Sequence, residues 1–354
     1  MYDAKRGISA QQFHWLFVLI AGAIILLFFI NVISAGKTSA ENKLSISMMN
    51  SFDAIFAGSK ASDNTVSIIP APPKTSIEFV CDAEDGHSEI AISGTIASSQ
   101  DPNRIMFAHG SITGRQYVVF TRSIDMPFKI DNALFVADLD TKYYILNNPS
   151  RTSLSNALVK LLPSNITSEK INDASALREE GYDEIVIISF GNLPQSLPAL
   201  KEIRVKNVDI TPSSTRGVGT VEFRSKKPGA TRFKPAEGAS KYYGSTMLLG
   251  AVFSENMDYY ECTIKRIYKK LKVVSQLYTK RSVLLEAAVR SGVCKAAYHD
   301  AIGQLTELKA VASGNRSLTP NNINSQEVMK LRDIKLELES LNEQVELHSC
   351  PLIY

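Results

Sequence analysis

The sequence predicts an α+β (or α/β) domain followed by a C-terminal antiparallel helical unit, with one transmembrane helix ahead of both. Three observations carry that expectation. Residues 13–33 form an uncharged apolar run, residues 76–225 hold short strand-like runs broken by helical segments, and three long stretches after residue 255 repeat at helical spacing.

The apolar run reads FHWLFVLIAGAIILLFFINVI, and no Asp, Glu, Lys or Arg lies between Arg6 and Lys37. A helix needs roughly 20 apolar residues to cross a hydrocarbon core about 30 Å thick. This run is long enough, and Trp15 sits where an interfacial aromatic belongs. His14 and Asn31 fall near opposite ends, within reach of headgroups. A cleaved signal peptide has an apolar region of about 7–15 residues and small residues before the cut, whereas Ile33 occupies the third position before a cut after Ala35. Residues 13–35 therefore read as an uncleaved signal-anchor. Lys5 and Arg6 before it, against Lys37 and Lys43 with Glu41 after it, weakly favour placing residues 1–12 in the cytoplasm and the rest outside.

Leu44, Met48, Phe52, Ile55 and Phe56 recur at helical spacing. Residues 36–58 thus read as an amphipathic helix that continues the anchor through a bend near Gly36 and stops at Gly58. The segment 59–225 is expected to be a β-rich and mixed α/β domain. Within it, runs at 76–81 and 88–93 form a hairpin signal, 104–108, 116–121 and 133–137 are further β-rich runs, and 154–162 and 175–180 look helical. The run Asp183-Glu-Ile-Val-Ile-Ile-Ser-Phe190 suits a strand covered on both faces, and 203–210 and 219–224 add β character. Residues 226–254 read as a linker, since 226–241 is rich in Lys, Gly, Pro and Ala. Residues 255–354 form the helical unit, with helices at 256–290, 296–312 and 326–348.

Four cysteines, Cys81, Cys262, Cys294 and Cys350, allow three pairings. Their wide separation, without a Cys-x-x-Cys unit, argues against zinc. In an up-and-down helical unit the end of the third helix returns to the turn that holds Cys294, so Cys294 pairs with Cys350 and Cys81 is left for Cys262. Two bridges fit an oxidising compartment, and this supports an outside body more strongly than the flanking charges do. Asn165-Ile-Thr167 and Asn315-Arg-Ser317 match glycosylation acceptors.

Neither disorder nor a polytopic membrane protein fits a chain of 354 residues with 44% hydrophobic and 21% charged residues. Its 39 basic and 36 acidic residues are too balanced for a nucleic-acid-binding surface. There is no Walker loop and no Gly-x-Ser-x-Gly, and Gly217-Val-Gly219 reads as a turn. No two of the five histidines share the i, i+4 spacing of a helical metal site. His87 and His109 read as surface turn residues. Asp138-Leu-Asp140 places two carboxylates on one strand face, a geometry that a cation or an acid/base pair uses, and a solvated strand end is the simpler reading. Tyr242-Tyr243 and Tyr259-Tyr260 read as core aromatics with one ring outward. Gly191-Asn-Leu-Pro194, after the buried strand, lies where open α/β sheets bind ligands. No catalytic, cofactor or metal set emerges.

The segment Gln12 to Ala23, with Tyr260-Glu-Cys262 and Cys350-Pro-Leu-Ile-Tyr, resembles uncharacterised archaeal single-pass, membrane-anchored surface proteins, which implies a surface-facing protein and no particular activity. Lys5-Arg6-Gly7 ahead of the apolar run is similar to the leader of type IV pilin-like proteins, which implies cleavage after Gly7 and assembly through the freed helix. Gln11, Gln12 and His14 interrupt the apolar start such leaders show, and the acidic residue near it is absent. The expectation is a structural or interaction protein held in the bilayer and binding another envelope component. A pilin-like subunit and an anchored enzyme are the alternatives.

Overall fold

The computed structural model describes residues 4–71, 75–82, 88–95, 97–101, 104–178, 181–198, 200, 203–213, 217–290, 292–313 and 325–354. Helix α1 (Ala4–Ala61) leads into β1 (Val66–Pro70), β2 (Ser76–Cys81), β3 (Ser88–Ile92), β4 (Ser98–Asp101), β5 (Met106–Ala108), β6 (Ser111–Thr113), β7 (Gln116–Asp125), β8 (Lys129–Asp138) and β9 (Thr141–Leu146). Then follow α2 (Thr152–Leu161), β10 (Ser168–Ile171), β11 (Glu184–Ser189), β12 (Arg204–Pro212), β13 (Val218–Lys226), β14 (Ala239–Tyr243) and α3 (Gly244–Val252). Helices α4 (Met257–Ala288), α5 (Val293–Ser313) and α6 (Ser325–Leu347) close the chain. The mixed α+β class with an apolar N-terminal helix and C-terminal helices is as expected.

Helix α1 has two halves with opposite surroundings. From Trp15 to Ile33 its large apolar side chains are exposed, while Met48, Met49, Phe52 and Phe56 are buried. Among the described residues it is the one helix long and apolar enough to cross a membrane. The helix is uninterrupted over 58 residues: it runs on through Gly36, as expected, and past Gly58 to Ala61, so Gly58 does not end it. A single glycine costs a helix only about 1 kcal/mol, too little by itself to stop one. Arg104 fixes the buried end by stacking on the Phe56 ring, 4.6 Å from its centroid, and pairing with Asp53 at 3.2 Å.

The central layer is the sheet β1-β7-β8-β5, in which β5 runs parallel to β8 and the other pairs are antiparallel. Successive side chains of a strand point to opposite faces. Tyr117, Val119, Leu134 and Val136 therefore meet α1 and the antiparallel sheet β4-β3-β2-β6. Val118, Phe120, Ala133, Phe135 and Ala137 meet the core built by α2 to α6. Burial on both faces accounts for the unbroken apolar stretches 117–120 in β7 and 133–137 in β8. Gly250 of α3 lets that helix touch the sheet, because a Cβ there would lie 2.5 Å from the Phe107 ring.

The third sheet has the order β10-β9-β11-β12-β13-β14, with its first four strands parallel. Its outer face buries Tyr144, Ile185, Ile187 and Val205 under the segments that follow β10 and β11. Two expectations are corrected here. Segment 226–254 is not a linker: it carries β14, whose register with β13 supplies the backbone bonds, and α3, which is buried from Met247 to Val252. Residues 174–176 form a single 3-10 turn rather than a helix spanning 175–180, and 179–180 lie outside the described residues.

In the C-terminal unit α5 runs against both neighbours. His299 near its start lies 3.1 Å from Glu286 near the end of α4, and Glu307 in its second half faces Lys330 near the start of α6 at 3.8 Å. The disulfide Cys294–Cys350 (Cα atoms 6.4 Å apart) joins the start of α5 to the segment after α6. Cys81–Cys262 (6.1 Å) ties the end of β2 to α4. These are the pairs the helix directions suggest.

Candidate functional site

The parallel strands put two polar regions at opposite edges of the third sheet. At their C-terminal edge the chain leaves β9 toward β10 on one side and returns to β11 on the other, the reversal that opens a crevice in sheets of this order. Gly191 turns the chain after β11 with φ +77°, a conformation that favours glycine. Amides then staple the two strand ends. Asn148 Nδ2 donates to Phe190 O at 2.9 Å, Asn192 Nδ2 donates to Asn147 O at 3.1 Å, and Asn192 Oδ1 accepts from Phe190 N at 2.9 Å. Asp209 Oδ1 accepts from Ser189 Oγ at 2.6 Å and from Gly191 N at 2.9 Å. Beside these lies an open cavity of about 690 Å³, lined among others by Asn172, Asp173, Ser175, Asn192, Gln195 and Ser196. Asp173 accepts from Ser175 N at 2.7 Å, which lowers its pKa. The amides, hydroxyls and carboxylate of this cavity share its wall with Leu146, Ala174, Pro194, Leu197 and Pro198, and they suit hydrogen bonding to a polar group.

At the N-terminal edge a buried charge cluster joins the central sheet to the third. Glu184, the first residue of β11, lies 2.7 Å from Lys206 Nζ, 3.1 Å from Arg204 Nη2 and 3.3 Å from His109 Nδ1. Lys206 also pairs with Glu255, which accepts from Gly110 N at 3.1 Å. Burial alone would raise the Glu184 pKa, but His109, Lys206 and Arg204 outweigh it and hold the carboxyl well below the usual range. In Glu255 too burial acts to raise the pKa, but Lys206 and His109 together outweigh it and the pKa falls. Asp138 goes the other way, because burial raises its pKa against the Thr141 hydroxyl and His109.

The histidine and aspartate expectations are therefore revised: His109 and Asp138 are both buried rather than surface decoration or a solvated strand end. The sequence offered no signal for this. His109 follows a three-residue strand and Glu184 opens an apolar one, so both read as strand-end polar residues until tertiary pairing encloses them. Asp140, two residues on, stays half-buried with its carboxylate near Gly114. What the cluster does physically is match charges across two sheets. Among the described residues no group of three or more His, Cys, Asp or Glu could hold a metal.

Of the other singled-out residues, Asn165 is exposed in the turn between α2 and β10, accessible to modification, while Asn315 and His87 lie outside the described residues. Tyr242, Tyr259 and Tyr260 are buried and Tyr243 half-buried, so the second pair turns no ring outward.

Near the Cys81–Cys262 bridge, Glu261 has a pKa pushed up to about 7, by burial first and by Asp258 next, with Lys265 acting against them. The folded form thus holds a proton that the unfolded chain releases near the ordinary value of 4.5. Stability from this group is full at acid pH and falls as pH rises through about 4.5 to 7, by on the order of 2 kcal/mol once solvent screening is allowed for. Melting temperatures of the wild type should decline over that window, and those of Glu261→Gln should decline less.

The chain matches no family model, no curated protein and no solved structure. Its class, an α+β body behind a long apolar helix, therefore rests on its own architecture.

Proposed function

We propose that the chain is a membrane-anchored extracytoplasmic structural or interaction protein that binds another component of the cell envelope. The observation that carries this reading is the division of α1. Its first half leaves large apolar side chains bare over a length that suits a bilayer, and its second half buries Phe52 and Phe56 in the body's own core. One continuous helix with these two environments is a lever between bilayer and body rather than a flexible tether. About 15 residues, or roughly 22 Å of helix, separate Ile33 from Met48 and set the body's distance from the membrane surface. The two disulfides support an oxidising outside location.

The same division favours a second reading, a type IV pilin-like subunit. In that case the bare half of α1 packs on neighbouring copies after cleavage following Gly7, and the buried half is the part that lies on the β-rich head. Intact-mass analysis of the purified protein separates the two. A chain that keeps its N-terminus and lacks four hydrogens supports the disulfide-linked anchored module, and one that begins at Ile8 supports the pilin-like reading. Four thiols free to react with an alkylating reagent would contradict the outside location in both.

A further inference from the structure

The outer faces of α4 and α6 carry the same pattern with opposite charge. About half a turn away from the buried stripe Ile264, Ile267 and Leu271, α4 exposes Val273 (62%), Leu277 (63%) and Leu284 (71%), interleaved with Lys272, Lys280 and Arg281. The buried stripe of α6 is Leu331, Ile334, Leu338 and Leu341. Away from it, Leu336 (52%) and Leu347 (81%) are exposed among Glu337, Glu343 and Glu346.

The spacings coincide. Val273, Lys280 and Leu284 stand at i, i+7 and i+11, and so do Leu336, Glu343 and Leu347. Laid side by side in parallel, the two stripes put Leu284 beside Leu347 and Lys280 beside Glu343 over about 16 Å of helix. Lys272, Lys280, Glu337 and Glu343 are in no salt bridge among the described residues.

We propose that α4 of one copy docks in parallel against α6 of a second copy of this chain. Because α5 runs against both, α4 and α6 of one chain point the same way, so a parallel pairing between chains keeps every copy in the same direction. That is what a common bilayer requires, and in this respect the proposal rests on the reading of α1 as an anchor. The contact is heterologous, joining different faces, so it propagates into a row or ring rather than stopping at a dimer. The stripe is short, and confinement of the copies to one membrane raises their effective concentration. An anionic bilayer would attract the α4 face but repel the acidic α6 face, so a second copy accounts for both.

The test uses the full chain reconstituted in neutral-lipid vesicles as an equal mixture of nitrogen-15-labelled and unlabelled protein, treated with a carbodiimide that joins lysine to carboxylate. Linked peptides should join Lys272 or Lys280 to Glu337 or Glu343, with one labelled and one unlabelled half. Lys272→Glu with Lys280→Glu should reduce linked dimers, read on a gel after amine-reactive coupling, by about tenfold through like-charge repulsion, as should Glu337→Lys with Glu343→Lys. Mixing the two variants should restore them. Links confined to one isotope, or dimers indifferent to both variants, overturn the proposal, as does protection of Lys272 and Lys280 from acetylation only when the vesicles contain anionic lipid. Flotation with the vesicles reports anchoring separately, so a failed anchor and a failed contact are distinguishable.

Discussion

Replacing Cys81 and Cys262 together by serine lowers the unfolding free energy by about 5 kcal/mol, the chain-entropy value for so long a loop. The bridge spans 181 residues and joins β2, in the sheet that faces α1, to the start of α4, in the helical core. Without it the two cores are held together at this point by polar contacts such as Thr263 Oγ1 donating to Met106 O at 3.0 Å and Arg266 Nη1 donating to Arg104 O at 3.0 Å. The Cys294–Cys350 bridge closes 56 residues, so its removal costs less, about 4 kcal/mol. Denaturant unfolding of the two double variants checks the order: the Cys81/Cys262 variant unfolds at the lower midpoint, and a reversed order contradicts the loop-length argument.

Phe52→Ala costs about 4 kcal/mol. The ring is fully buried, with centroids 5.5 Å from Phe56 and 6.1 Å from Tyr117, so truncation leaves a cavity between α1 and the central sheet that neither neighbour can fill without leaving its own contacts. Because α1 enters the body only through its second half, the loss falls on the junction itself. Hydrogen exchange should therefore rise first in the amides around residues 45–57, ahead of global unfolding. Leu44→Ala, at a half-exposed position on the same helix, should change stability by no more than about 0.5 kcal/mol.

The parts of the fold legible in the sequence are those governed by local period. The apolar run, the stripe Met48, Phe52, Phe56, the strand 184–189 and the three C-terminal helices all announce themselves at the spacing of their own element. The cysteine pairing was legible because helix direction fixes which ends meet. What was not legible depends on partners distant in sequence. Residues 226–254 look like a linker because Lys, Gly and Pro dominate, yet Val221 and Ser240 share a register that makes β14, and Gly250 is there to admit Phe107. The charge cluster failed for the same reason: Glu184, Lys206, His109 and Glu255 come from four separated segments, and no local pattern brings them together. A cavity does lie beside Gly191 to Pro194, where the strand-end rule points, whereas the Asn staples, which need the β9 and β11 ends side by side, were not foreseen.

The central claim is that α1 spans the bilayer with the disulfide-bonded body outside. Intact cells producing the full chain, treated with a membrane-impermeant amine reagent and analysed by peptide mass spectrometry, test it most directly. The account predicts labelling of Lys227 and Lys295, both exposed on the body, with Lys5 labelled only after permeabilisation. Labelling of Lys5 in intact cells while Lys227 and Lys295 stay protected would contradict it.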